Sequence, residues 1–97
     1  MAAYLVFDVE KITDFERMME YRRLAAPTLK EYGVKFLLEG GGPYEVIEGD
    51  RPTLGLVILQ FEDADHFRRW YNSSEYQEAS KLRLQSSTSQ VILIEGQ

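Results

Sequence analysis

The side chains with the greatest capacity for chemistry surround a predicted break between two helical segments near residue 72. They combine large rings, hydroxyl and amide groups and one guanidinium: Tyr21, Trp70, Tyr71, Asn72, Tyr76 and Arg83. Rings of this kind form apolar pocket walls, while phenol and amide groups orient a bound molecule. A planar, weakly acidic organic molecule would suit this set, because Arg83 is a fixed cation that can bind its anion.

In an enzyme, two of the tyrosines and the arginine would have catalytic roles. Tyr71 or Tyr76 would orient the substrate or transfer a proton, and Arg83 would stabilise developing negative charge. This interpretation predicts a cofactor-independent enzyme, or a binding protein, for a small hydrophobic or aromatic metabolite.

A structural role explains the same side chains. The rings can fill the core between helices and sheet, Asn72 can cap a helix, and Arg83 can pair with a carboxylate. The alternative function is therefore a non-catalytic dimerisation or accessory domain without a ligand. The sequence contains no diagnostic acid–base pair that would decide between the two interpretations.

Few residues suit metal or nucleophilic chemistry. There is no cysteine, and the single histidine, His66, lies beside Phe67 near a predicted helix start without a second ligand of its kind. We therefore predict that His66 is a surface residue of a helix and not a metal or haem ligand. The glycine run at residues 40–42 leads into an extended segment and not into a helix, so it does not form a phosphate cradle. No cofactor and no metal are expected.

The composition is that of one globular domain, residues 1–97, with 44% hydrophobic and 28% charged residues. Sixteen acidic against eleven basic residues give a formal net charge of −5, which disfavours nucleic acids and anionic membrane surfaces as partners. No apolar run approaches the roughly 20 residues of a membrane span, and no targeting signal precedes the first predicted strand. A cytoplasmic location is the default expectation.

Hydrophobic periodicity and turn signals predict strands and helices in the order βαββαβ. Strands are predicted over residues 3–10, 34–39, 54–62 and 91–95, with a further extended segment over residues 44–48. The glycine- and proline-containing segments 40–43 and 49–52 are predicted turns, and residues 86–89 are a predicted polar loop.

The predicted helices are marked by their ends. A capping box at residues 13–16 begins the first helix, which runs to about Tyr32 before Gly33 and is kinked or divided at Pro27. Asp63 or Asp65 begins a second helix through Tyr71. Ser73 or Ser74 begins a third segment through Arg83.

A weak internal repeat supports this order. Residues 5–10 align with residues 57–62, and Phe15 then aligns with Phe67. Two βαβ halves of this kind form a ferredoxin-like α+β sandwich, in which an antiparallel sheet carries its helices on one face.

The opposite face of this sheet carries apolar side chains that no remaining element of the chain can cover: Tyr4, Val6, Leu56 and Ile58. A sheet face in contact with water is expected to be polar. We therefore predict a homodimer in which two sheets pack face to face. Asp8 and Gln60 occupy equivalent positions of the repeat on this face, and they are candidate ligand-binding residues or, near the strand ends, polar rim residues.

A series of spaced motifs runs through the chain. They are Tyr21 with Ala26-Pro27, Tyr32-Gly33, Gly40-Gly41 followed by residues 44–49, Phe61-Glu62, residues 70–77 and Arg83. Together they resemble, essentially from end to end, the domain of unknown function 1330 family, which lies within the dimeric α+β barrel superfamily. The resemblance implies the same ferredoxin-like dimer. It implies no activity, because superfamily members range from cofactor-free monooxygenases, isomerases and haem enzymes to structural domains.

Two positions depart from the family pattern. Ser74 stands where relatives often have proline, and Glu39 precedes the glycines where a basic residue is common. The second difference inverts the local charge. An anion site inferred for relatives at this position is therefore not expected in this chain.

Overall fold

The computed structural model describes residues 1–40, 42–51 and 53–96. Gly41, Pro52 and Gln97 lie outside the described residues, so the predicted turns over residues 40–43 and 49–52 are each described only in part.

The described residues form four strands and three helices, which follow one another in the predicted order. They are β1 (Ala3–Ile12), α1 (Phe15–Glu31), β2 (Lys35–Leu38), β3 (Gly55–Phe61), α2 (Ala64–Tyr71), α3 (Ser74–Ser86) and β4 (Ser87–Glu95). The strands form one sheet in the order β2-β3-β1-β4, and each neighbouring pair is antiparallel. This topology confirms the predicted ferredoxin-like α+β fold, with α2 and α3 together in the place of the second helix.

Helix ends follow from local hydrogen bonds. Asp14, and not Thr13, caps α1, because the Asp14 carboxylate accepts a hydrogen bond from the Arg17 amide at 3.1 Å. Asp63 and Ser73 cap α2 and α3 in the same way. Gly33 follows the end of α1 with φ +68°, a conformation that favours glycine, which confirms it as the predicted stop.

Several predicted boundaries differ from the structure. Helix α1 runs through Pro27 as one element, so of the two alternatives predicted there, a kink or a division, the division does not occur. Residues 44–48 form no strand. The predicted loop over residues 86–89 is also absent: α3 continues to Ser86 and β4 begins at Ser87, because β4 pairs with β1 along its whole length, as far as Ser87 opposite Ile12.

The core lies between the helices and one face of the sheet. Its buried side chains are Ala3, Leu5, Phe7, Ala25, Leu29, Leu59, Phe61, Trp70, Tyr76 and Ala79. Alternation along β1 and β3 sends odd-numbered residues into this core and even-numbered residues to the other face. The core therefore leaves the even-numbered apolar residues of β1 and β3 outside it.

The other face, which we call the open face, carries an apolar surface. Val6 stands opposite both Ile58 and Ile92, so these three side chains share it. Leu56 is 38% exposed and Ile94 is 50% exposed. The predicted apolar second face is therefore present and uncovered by the described residues of this chain.

Within the described residues, no helix has both the length and the apolar character that crossing a membrane requires.

Candidate functional site

A cavity of about 210 Å³ lies between α1 and the helix-covered face of the sheet. Its lining is Phe7, Val9, Met18, Tyr21, Arg22, Ala25, Ala26, Leu29, Phe36, Glu39, Val57, Leu59, Trp70 and Arg83. Most of these side chains are apolar, and an apolar cavity of about 150 Å³ is large enough to hold benzene. The space therefore suits one aromatic ring with a small substituent.

The mouth of the cavity is formed by its exposed lining residues, Arg22, Ala26, Phe36 and Glu39. Arg22 and Ala26 belong to α1, whereas Phe36 and Glu39 come from β2 and the residue after it. The opening thus lies between the first helix and the edge strand of the sheet.

Arg83 supplies a cation inside this mostly apolar space, although only 4% of its surface is exposed. Its guanidinium carbon lies 5.4 Å from the ring centroid of Phe7 and 5.8 Å from that of Tyr21. Its Nη1 donates a long hydrogen bond of 3.4 Å to Ser89 Oγ. Within the described part of the chain, no carboxylate forms an ion pair with Arg83, and its buried Nε has no hydrogen-bond partner.

An unpartnered polar atom in a protein interior is costly and calls for a physical explanation. The expectation that Arg83 pairs with a carboxylate if its role is structural is not met by the described residues. Because Arg83 lines the cavity, its guanidinium is the cation that an anionic ligand would meet there.

Two tyrosine hydroxyls lie next to the arginine. Tyr21 Oη and Tyr76 Oη are 2.9 Å apart and share a hydrogen bond. Burial, together with the neighbouring Tyr76, raises the pKa of Tyr21 well above its usual value, and burial likewise raises the pKa of Tyr76. Both phenols are therefore neutral at pH 7, and because their shared bond uses one proton, the other remains for a further acceptor.

Trp70 closes the inner end of the cavity and is fully buried. Its indole N–H donates to Thr28 Oγ1 at 2.9 Å, and its ring centroid lies 3.9 Å from that of Tyr76. Tyr71, Asn72 and Tyr76 do not line the cavity. Tyr76 is fully buried and is joined to the lining residue Tyr21 by their hydrogen bond. Tyr71 packs on Phe67 with centroids 5.3 Å apart, and Asn72 is the exposed C-cap of α2, as the structural interpretation expected.

Asp8 and Gln60 lie away from this site. Both belong to the open face, and they stand at opposite ends of the β1–β3 pair, Asp8 opposite Leu56 and Gln60 opposite Tyr4. The structure therefore does not bring these two candidates together with each other or with Arg83.

Asp8 has local partners on the open face. Its carboxylate accepts hydrogen bonds from Thr53 Oγ1 at 2.8 Å and from Arg51 at 2.7 Å, and Arg51 also donates to Gln90. This polar cluster attaches the segment before β3 to the sheet.

His66 is not a surface residue, and that prediction is wrong. The side chain is 6% exposed and bridges two backbone groups: Nδ1 accepts from the Glu62 amide at 3.0 Å, and Nε2 lies 2.5 Å from the Tyr32 carbonyl oxygen. These partners require the proton on Nε2. His66 therefore joins the end of β3 to the end of α1, and both of its ring nitrogens form hydrogen bonds.

Several lining residues were not singled out from the sequence, namely Met18, Ala25, Ala26, Phe36 and Val57. The helical spacing of Met18, Ala25 and Leu29 indicated a buried stripe of α1 but gave no sign of a space beneath it. Among the described residues, no group of three or more histidine, aspartate or glutamate side chains is placed to hold a metal ion.

Comparison with known proteins identifies relatives of the whole chain. The family model described as a domain of unknown function, DUF1330, matches residues 2–97. No curated protein sequence matches the chain significantly.

Solved structures share the fold at low sequence identity. A protein of unknown function from Rhodopseudomonas palustris is 17% identical, with a TM-score of 0.81 over 99% of this chain and 82% of that chain. A dimeric ferredoxin-like protein of unknown function from a Jannaschia species is 16% identical, with a TM-score of 0.74 over 99% and 100% of the two chains.

One neighbour has a described activity. SnoaB of Streptomyces nogalater, a cofactor-independent oxygenase, is 14% identical, with a TM-score of 0.68 over 99% of this chain and 93% of that chain. At such identities the likeness establishes the fold alone.

Proposed function

Because the chain belongs to the domain of unknown function 1330 family, whose name specifies no reaction, we propose a function from the cavity itself: the protein binds a small, ring-bearing organic acid between α1 and the sheet. The observation that carries the proposal is Arg83 itself: it lines a mostly apolar cavity, and within the described residues it has no carboxylate partner and its buried Nε has no hydrogen-bond partner.

The chemistry of the lining supports this class of ligand. Phe7, Leu59 and Trp70 offer a surface for a hydrophobic ring. Arg83 offers a charge-assisted hydrogen bond to an anionic oxygen, which is stronger in a water-poor site than in solution. The neutral Tyr21–Tyr76 pair has one further proton to donate. A carboxylate or an enolate attached to a ring meets all three requirements.

The same arrangement can assist a reaction without a cofactor. Arg83 would stabilise negative charge that develops on a substrate oxygen, and Tyr21, which lines the cavity and is hydrogen-bonded to Tyr76, would exchange a proton with the substrate. The low exposure of these groups favours such a role, because electrostatic stabilisation is larger where water is excluded. Tyr71 and Tyr76 both lie outside the cavity lining, but Tyr76 is hydrogen-bonded to the lining residue Tyr21. Tyr71, which packs on Phe67, is therefore the weaker candidate.

Ligand binding is tested by thermal shift with benzoate, phenylacetate and salicylate, against benzamide and acetate. We expect the ring-bearing acids to raise the melting temperature in a saturable way, while the neutral amide and the ringless acid do so weakly or not at all.

A cavity-filling substitution gives the matched control. Ala26→Phe places a ring at the mouth on an exposed helix position and leaves Arg83 intact. The apparent affinity for the acids is expected to fall by at least about ten-fold in this variant, so they should stabilise it less than the wild-type protein. Equal stabilisation of wild type and Ala26→Phe would mean that the acids bind elsewhere.

The open face supports a second proposal, a homodimer in which the function is assembly. Leu56, Ile92 and Ile94 are exposed on a sheet that the described residues leave uncovered. Structural neighbours from Jannaschia and from Bacteroides fragilis are described as dimeric. A cytoplasmic location and the absence of nucleic-acid and membrane partners remain predictions from the sequence.

Self-association is tested by light scattering and sedimentation of Leu56→Lys. Introducing a charge on the open face is expected to weaken association by about ten-fold or more, because an unpaired lysine would be buried in the interface. Leu84→Lys is the control, since Leu84 is an exposed leucine of α3 away from this face. A wild-type protein that is monomeric at micromolar concentration would contradict the proposal.

A further inference from the structure

The cavity carries charges of opposite sign at its two ends. Arg83 lies in the interior, and Glu39 contributes the carboxylate that lines the cavity among the described residues. Arg83 is almost fully buried, whereas Glu39 is exposed at the mouth. A molecule long enough to reach from one end to the other meets both charges.

The position of Glu39 follows from a close approach of two backbones. Strand β2 ends at Leu38, and Gly40 has φ +83°, in the region that favours glycine. A Cβ at Gly40 would lie 3.2 Å from the Leu56 carbonyl oxygen and 3.3 Å from Val57 Cγ2. The chain after Glu39 is thus held against β3, which constrains the backbone next to Glu39, itself a residue of the cavity lining.

We propose that Glu39 is a specificity-determining residue that selects ligands with a cationic or hydrogen-bond-donating group at the end opposite their acidic group. The inference rests on the proposed function, because it assumes that the acidic end binds Arg83. A carboxylate at the mouth attracts such a group and repels a second anion. The preferred ligand is a ring that carries one acidic group and one donor.

Arg22 faces the same mouth from α1 and has the opposite charge. It is an exposed, flexible side chain on a helix, whereas Glu39 lies next to a backbone contact between β2 and β3. An extended arginine can turn toward solvent at little cost. Glu39 thus supplies the carboxylate and Arg22 the opposing cation at the mouth, and separate substitution of the two residues distinguishes their contributions.

Three para-substituted benzoates of nearly equal size test the inference by calorimetry. They are para-aminomethylbenzoate with a cationic outer end, para-ethylbenzoate with a neutral one, and para-carboxymethylbenzoate with an anionic one. Glu39→Gln is expected to lower the affinity for para-aminomethylbenzoate by about three- to five-fold, the range of a solvent-exposed charge pair. The affinity for para-ethylbenzoate should change by less than about two-fold, and the affinity for para-carboxymethylbenzoate should rise by about three- to five-fold.

Glu39→Lys extends the series and should make para-carboxymethylbenzoate the tightest ligand of the three. Glu45→Gln changes the net charge by the same amount from an exposed position outside the cavity lining, and it should alter none of the affinities. Arg22→Gln should weaken only the dianion.

The outcomes separate the two proposals. If all three compounds bind but Glu39→Gln changes their affinities in parallel or not at all, the proposed role of Glu39 is overturned while the cavity remains a binding site. If none of them binds the wild-type protein, the proposed function fails, and the inference fails with it.

Discussion

Replacing Trp70 with alanine is expected to lower the free energy of unfolding by about 3–5 kcal/mol, the typical cost of removing a large buried ring. Trp70 is fully buried and packs on Tyr76, Phe61 and Phe67. Its indole N–H also donates a hydrogen bond to the buried Thr28 Oγ1. Since a domain of this size is stable by only about 5–15 kcal/mol, the variant would lose a large share of its stability.

Urea denaturation at one protein concentration measures this loss, and Trp70→Phe separates packing from hydrogen bonding. The phenylalanine variant keeps a ring but leaves Thr28 Oγ1 without its donor, so a loss of about 1–3 kcal/mol is expected. A Trp70→Ala variant as stable as Trp70→Phe would show that the ring contributes little to the core.

Replacing Arg83 with methionine is expected to reduce affinity for a ring-bearing carboxylate by about thirty-fold or more, without a loss of stability. Removing one partner of a buried charged contact typically costs about 2 kcal/mol or more of binding free energy. In the free protein, Arg83 has a desolvated charge and an unpartnered Nε among the described groups. An apolar side chain of similar length removes that desolvation cost.

Calorimetry with benzoate and urea denaturation on the same samples give the two readouts. Arg83→Lys is the second variant: it retains a positive charge but loses the planar donor set, so intermediate affinity is expected. The opposite pattern, a marked loss of stability with unchanged affinity, would assign Arg83 to the core and favour the non-catalytic alternative.

The fold was predictable because its determinants are local and repeated. Alternation along β1 and β3, with capping residues before each helix, determined the order of elements and the two faces of the sheet. The boundary at Ser86 could not be predicted in this way. A run of serines suggests a loop, and only the pairing of β4 with β1 shows that the strand begins at Ser87. Tertiary pairing outweighed local preference there.

The candidate site was predictable only in part, because side-chain contacts depend on packing. The aromatic signature indicated Trp70 and Arg83, which do line one cavity together with Tyr21. It did not distinguish Tyr71, whose ring packs on Phe67 and does not line the cavity. His66 was misplaced for a similar reason: its two backbone partners come from segments far apart in sequence.

Charge outside a sequence motif was the hardest feature to interpret. Glu39 attracted notice only as a departure from relatives, and its meaning depends on a cavity that brings α1, β2 and α3 together. No periodicity encodes such a space, because a cavity is the absence of side-chain volume.

The direct junction of α3 and β4 has a mechanical consequence. No residue separates Ser86 from Ser87, and the Ser86 carbonyl also accepts hydrogen bonds from the Thr13 and Asp14 amides at 2.7 and 3.3 Å. Arg83 lies one helical turn before this junction, and β4 carries Ile92 and Ile94 on the open face. No loop lies between α3 and β4, so a ligand that displaced Arg83 would act directly on the strand that carries Ile92 and Ile94. Occupancy of the cavity and pairing of two chains would then be thermodynamically linked, each changing the affinity of the other by the same factor.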